Sequence, residues 1–354
     1  MEFVFTEEQA MIAETVKGFF AENATSERTR KAMAGEGIDR ALWSAFCGEL
    51  GLAGIGVAED LGGAGLGMIE FAIVAEAAGG QVAALPLLGH AMAIRAIAAG
   101  GTAEQQAEWL PQLLSGERIA ACHITDRTYP VIDHGGRLKG AMHFVQHAGI
   151  ADLFVVTGRD GTWLVRRDTP GVIVYDNVTM DQTRPMATML LEMVPAEAFA
   201  DPEAARKAAE HTGWIGAAAE ALGVAQAALD RTVAYARERV QFGRPIGSFQ
   251  AYKHRLADMM IEIEQARSAV YWAACAVDEG SDEAAMALHA AKSFAADTAF
   301  MCAGNMIQLH GGIGFTWEHD AHLFFKRARS LQTMLESGAW HREQVAAMIL
   351  GDVA

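Results

Sequence analysis

The chain has 354 residues, 51% of them hydrophobic and 20% charged, so it is globular, with apolar material for two or three domains rather than one ordinary core. Lysine and arginine number 28 against 44 acidic residues, a net charge of −16, which argues against a nucleic-acid or anionic-membrane surface. An anionic ligand would need a local basic site. The cysteines Cys47, Cys122, Cys275 and Cys302 lie far apart without a CxxC pair, and fit thiols of a reducing compartment better than a disulfide framework or zinc site. No basic region followed by an apolar run opens the chain, and no uncharged apolar run is long enough to span a bilayer. A soluble, cytoplasmic protein is expected.

Thr6 and Gln9 form a capping box for a first helix carrying Ile12, Val16, Phe19 and Phe20 at helical spacing. Asp39 can cap a second helix with Leu42, Phe46 and Leu50 on one face, ended by Gly51. The glycine-rich run that follows, to Gly67, predicts a long turn, and a third helix spans 68–78. Thr102 and Gln105 make another capping box, for a helix holding Trp109, Leu110 and Leu113.

After Gly116 the texture changes. Short runs with β-branched and aromatic residues at 118–125, 137–146, 151–157, 162–166, 171–178 and 188–194 alternate with turns such as Asp133-His134-Gly135-Gly136. They predict a small antiparallel sheet domain. Asp201-Pro202-Glu203 then opens a helical region, with a cap, proline at the first helical position and an acid in the first turn. Long helices over about 202–240, 248–279, 282–309 and 319–349, with short connections, predict an antiparallel bundle. The expected fold is multidomain α+β: an N-terminal helical domain (1–117), a middle antiparallel β domain (118–200) and a C-terminal four-helix bundle (201–354).

The densest signal is the stretch from Tyr235 to Met259. Two glycines and a proline sit at a Phe-Gly-Arg-Pro-Ile-Gly turn between helices, and Arg237, Arg239 and Arg244 crowd it in an acidic chain. A pyrophosphate over the turn would account for the cations, as would a solvated helix end whose arginines complement the carbonyl end of the dipole. About fifty residues on comes Gln308-Leu309-His310-Gly311-Gly312-Ile313-Gly314-Phe315. The pattern from Arg239 to Gln250, arginine, Phe-Gly, isoleucine and Phe-Gln, together with this second motif, strongly resembles the acyl-CoA dehydrogenases.

The resemblance extends over nearly the whole chain and implies FAD as cofactor and an acyl-CoA thioester as substrate. Its reaction is α-proton abstraction with β-hydride transfer to the flavin. Counting from Arg327 puts Glu336 on the family's usual catalytic base, though the usual Glu-Gly-Thr stands here as Glu336-Ser337-Gly338. An ordinary exposed glutamate on the last helix is the other reading. In other members the base lies on the helix matching 206–237, where this chain has Gly213 or Trp214, so that alternative is empty.

By the same resemblance Arg239 and Phe242 would meet the flavin's pyrophosphate and adenosine half, with Gln308, Gly311 and Gly312 reaching it from a neighbouring chain. Thr125 would belong to the family's Thr-Glu motif. The Gly-Ser-Asp that normally follows is replaced by Arg127-Thr128-Tyr129-Pro130. Phe144 and Gln146 stand where an aromatic and a hydroxyl residue usually face the isoalloxazine, and Gln146 is the larger there. A short chain with this altered sheet motif resembles the subunits of unequal, steroid-degrading acyl-CoA dehydrogenases. The implied partners are a related subunit or further copies in a tetramer, and an electron-transferring flavoprotein or similar acceptor. The rival is a non-catalytic or partial-site scaffold subunit. Glu318, His319, Asp320 and His322 lack catalytic metal spacing and suit a helix start, so no metal is expected.

Overall fold

The computed structural model describes residues 5–124, 131–158 and 160–351. The predicted caps start the helices. Gln9 N donates to Thr6 Oγ1 at 3.2 Å while Thr6 N donates to Gln9 Oε1 at 3.1 Å, opening α1 (Glu7–Asn23). Next come α2 (Ser26–Met33), α3 (Arg40–Gly48) capped by Asp39, α4 (Met68–Gly80), α5 (Leu87–Gly100) and α6 (Ala103–Leu114), the last on its Thr102–Gln105 box. The strands are β1 (Ala120–Ile124), β2 (Ile132–Asp133), β3 (Arg137–Gln146), β4 (Leu153–Thr157), β5 (Thr162–Arg166), β6 (Val172–Asn177), β7 (Met186–Pro195) and β8 (Glu197–Ala198). Then α7 (Pro202–Glu238) leads into a two-stranded hairpin, β9 (Val240–Gln241) and β10 (Arg244–Pro245), followed by α8 (Gln250–Asp278), α9 (Ala284–His310), α10 (Ala321–Thr333) and α11 (Gly338–Leu350).

Contacts sort the chain into two units: a sheet unit of residues 28–71 and 84–213, and a helical unit of residues 1–27, 72–83 and 214–354. In the sheet unit the strands form two four-stranded sheets, ordered β1-β4-β5-β8 and β2-β3-β7-β6. All pairings are antiparallel except β1 with β4. The sheets share one core, in which Leu138, Met142, Phe154, Val156, Trp163, Met189 and Val194 are buried together. Helix α5, for which the sequence marks no boundaries, packs on β1 and β4. Its His90 binds two elements at once: Nε2 donates to Leu113 O at 3.0 Å, and Nδ1 accepts from Ala120 N at 3.1 Å.

In the helical unit α9 is the central helix, packed against α8, α10 and α11. Where α4 meets α7 the backbones touch, because a Cβ on Gly79 would overlap the Glu220 carbonyl and one on Gly223 the Glu76 carbonyl. Glu220, on α7, also takes the guanidinium of Arg327 from α10, and the pair is almost fully buried, Arg327 being 2% exposed. The expected single helix over 319–349 is two. Met334 leaves α10 in extended backbone, Leu335 and Glu336 take φ of +52° and +74°, and Ser337 caps α11 by accepting from Trp340 N at 3.3 Å. A helix cannot continue through two left-handed residues, and serine prefers the cap to the interior.

Arg327→Met strands the Glu220 carboxylate in the interior and should lower unfolding free energy by about 3–5 kcal/mol. The double variant with Glu220→Leu should recover most of that loss. Urea denaturation checks it, and a neutral single variant contradicts the buried pair.

Candidate functional site

The nominated residues of the helical unit fall into two groups. Phe242 and Gly243 both have positive φ, +53° and +75°, as a two-residue hairpin connection demands. They turn β9 into β10 in the register Gln241 with Arg244 and Val240 with Pro245. The expected tight turn is thus a small hairpin, clasped at its base by Ile246 N donating to Arg239 O at 2.8 Å. It holds Phe242 out at 92% exposure, edge-on to Phe249 at 6.2 Å, and the Arg244 guanidinium lies 4.1 Å over the same Phe249 ring. Arg239 is exposed beside it.

The end of α9 meets the flanks of this hairpin. Tyr235 stacks on His310 at 4.5 Å, and Tyr252 Oη donates to Leu309 O at 3.0 Å. Gln308, Gly311 and Gly312 are exposed there, and a Cβ on either glycine would meet only open space. Arg239, Phe242, Gln308, Gly311 and Gly312 therefore gather at one end of the unit. The neighbouring acidic and histidine run serves packing: His319 lies 4.5 Å from the His310 ring, and Asp320 accepts from Ser26 Oγ at 2.6 Å and pairs with Arg231 at 3.3 Å.

Glu336 belongs to the other group. It is exposed on the left-handed break between α10 and α11, over the N-terminal half of α9. Lys292, wholly buried on α9, donates from Nζ to Leu331 O at 2.9 Å. Burial pulls its pKa down to about 8, against the attraction of Asp297 and Glu336. Beside it, His341 Nε2 donates to Leu335 O at 2.9 Å, and His341 Nδ1 lies 2.8 Å from His289 Nδ1. Trp214 packs over both rings, at 4.7 Å from His289 and 5.6 Å from His341. From Lys292 to Gln308 the helix rises by on the order of 24 Å, which separates Glu336 from the hairpin group within one chain.

His289, Lys292 and His341 are functional candidates the sequence reading did not single out. A signal existed, since His289 and Lys292 stand three apart, on one face of an alanine-rich helix where a charge is out of place.

In the sheet unit, the register of β3 against β7 shifts between Met142 and Val145. This bulge gives Phe144 a φ of +56° and turns its ring out, 65% exposed. Two residues on, Gln146 is buried at 5% exposure, and its Oε1 has no hydrogen-bond partner among the described residues. Thr125 lies outside the described residues.

A cavity of about 480 Å³ opens elsewhere in the helical unit, lined in part by Glu76, Gln226, Arg267 and Tyr271. On its wall Glu76 takes Arg267 and the Tyr271 hydroxyl (2.7 Å), and Arg267 also donates to Gln226 at 2.9 Å. It holds none of the nominated residues.

The model of the acyl-CoA dehydrogenase N-terminal domain matches residues 6–117 and that of the C-terminal domain residues 207–350. The acyl-CoA dehydrogenase IpdE2 of Mycobacterium tuberculosis is 38% identical over 338 residues, covering 94% of each chain. The chain belongs to the acyl-CoA dehydrogenase family. Among solved structures it is similar to the ChsE4-ChsE5 complex of Mycobacterium tuberculosis, with a TM-score of 0.93 and 28% identity over 100% of both chains. It is also similar to a variant of the Tcur3481-Tcur3483 steroid ACAD, with a TM-score of 0.90 and 32% identity over 97% of this chain and 98% of that one. As a member of this family the chain is an oxidoreductase of the acyl-CoA dehydrogenase type, and no described helix is long and apolar enough to cross a membrane.

Burial, with the charge of Lys292 and the ring of His289 adding to it, lowers the His341 pKa from 6.5 to about 3. Below pH 6.5 the unfolded chain takes up a proton that folded His341 refuses, so stability falls as the pH drops through that window. The contribution is complete above pH 6.5 and amounts to at most about 1.4 kcal/mol per pH unit below it. His341→Gln, which does not titrate, should lose less stability between about pH 7.5 and about pH 4.5. Denaturation at both values checks this, and equal losses contradict it.

Proposed function

We propose that this protein is an FAD-dependent acyl-CoA dehydrogenase that introduces an α,β double bond into an acyl-CoA thioester, with Glu336 as the base. The observation that carries the reading is the setting of Glu336. It stands not on the last helix but on the left-handed break between α10 and α11, with the buried ammonium of Lys292 beneath the same segment. A carboxylate so held can accept a proton from the acidic α-carbon of a thioester.

The chain's residues fit a flavin in several ways. On the helical unit, Arg239 offers a cation for a pyrophosphate, Phe242 an exposed ring, and Gly311 and Gly312 a backbone that a bulky group can approach. Gln308 can both donate and accept. On the sheet unit, Phe144 presents an aromatic face, and the orphaned Gln146 Oε1 asks for a donor. Thr125 joins them by family resemblance. When bound, FAD supplies the acceptor for the β-hydride, and an electron-transferring flavoprotein or similar acceptor would reoxidise it.

A second reading is that the chain completes its site only with a related subunit. The distance along α9 between Glu336 and the Gln308–Gly312 turn calls for a second chain, another copy or a related subunit, because one chain does not bring both to one place, and the altered sheet motif after Thr125 favours the related subunit. So does its similarity to structures whose names pair two chains. The substrate would then be a steroid-derived thioester, the protein cytoplasmic and the assembly a heterotetramer.

The assembled protein should be yellow, and butanoyl-, octanoyl- or hexadecanoyl-CoA, or the CoA thioester of a steroid ring fragment, should bleach it. Glu336→Gln should keep its flavin while bleaching slows by on the order of 100-fold or more. Unchanged bleaching removes Glu336 from the mechanism. Colour that appears only on co-expression with a related chain favours the second reading.

A further inference from the structure

Two adjacent residues other than glycine in left-handed backbone are an uncommon arrangement that persists only where the surroundings hold it. At Leu335 and Glu336 the chain is held there from below. The Leu335 carbonyl, midway through the break, accepts from His341 Nε2 at 2.9 Å. A carbonyl can only accept, so that nitrogen carries the proton. His341 is fully buried and neutral, which leaves its Nδ1 as a bare acceptor. The facing His289 Nδ1, 2.8 Å away, must then be the donor. The order of the chain is thus His289 to His341 to Leu335, with each tautomer set by its neighbour.

The surroundings hold the two rings in place. Trp340 lies 5.4 Å from His289 and 5.0 Å from His341, and Trp214 covers both. On α9, Ser293 Oγ donates back to His289 O at 3.0 Å. The pair touches the backbone that leads into Glu336, through the Leu335 carbonyl.

We infer that His289 and His341 are positioning residues for Glu336, a tautomer-locked pair that fixes the Leu335 carbonyl and so aims the carboxylate of the next residue. This rests on Glu336 being the base. A plain packing role would ask only for two rings of the right size. A positioning role asks for a donor at the carbonyl and an acceptor toward His289, and a glutamine at position 341 can supply both.

The test uses the assembled, flavin-loaded enzyme and whichever of the thioesters above gives the highest kcat/KM. Nitrogen NMR of the labelled wild-type protein should find His341 protonated on Nε2 alone and His289 protonated on Nδ1. The opposite tautomers, or a cationic His341 at neutral pH, overturn the pair. His341→Leu should lower kcat by on the order of 100-fold with KM within about twofold, and His341→Gln should stay within about threefold of wild type. If His341→Leu does not fold, His289→Leu must still lower kcat by about tenfold, and wild-type kcat there overturns the inference. An inactive Glu336→Gln beside a fully active His341→Leu overturns the pair alone. An active Glu336→Gln overturns the base assignment and the positioning role with it.

Discussion

The buried ion pair of Arg327 with Glu220 governs the end of the chain where the chemistry is proposed. Two charges out of water tolerate little displacement, since either one alone inside is expensive. The pair fastens α10 to α7 at a level where the two glycines let α4 come up against α7 as well. With α10 fixed in this way, its last residues deliver Leu335 and Glu336 to one place above α9. The break that follows is a consequence of where α10 is held and of Ser337 capping the next helix.

Below that break lies a set of polar groups the interior would not keep without reason. Lys292 is wholly buried with a carbonyl as its hydrogen-bond partner, and two histidines share one proton position between them. Each group is satisfied, which is what lets polar atoms persist in a core. Their common object is the backbone from Leu331 to Leu335. The outward carboxylate of Glu336 and the inward polar chain are two sides of one short segment.

Much of the fold was legible in the sequence because local chemistry and tertiary structure agree. The Thr6–Gln9 and Thr102–Gln105 boxes, the Asp39 cap and the spans of β3 and β5 fall where the residues put them. Helix α5 was not delimited because it is buried on nearly all sides, so its apolar residues show no period, and Pro86 at its start offers no side-chain cap. The break at 334–337 was hidden for a different reason. Leucine and glutamate are good helix formers, and the carbonyl bond to His341, six residues on, that helps hold their left-handed backbone leaves no local signal. The hairpin residues Arg239 and Phe242 were visible through the Phe-Gly pair and the unusual arginine density. The His289–His341 contact was not, since the two stand 52 residues apart.

The central claim is that Glu336 takes a proton from the α-carbon of a thioester. Incubating the assembled enzyme with an acyl-CoA in deuterium oxide, without an electron acceptor, and following deuterium at the α-carbon by mass spectrometry tests it most directly. The account predicts exchange with the wild-type protein and none above background with Glu336→Gln. Equal exchange in the two would contradict it.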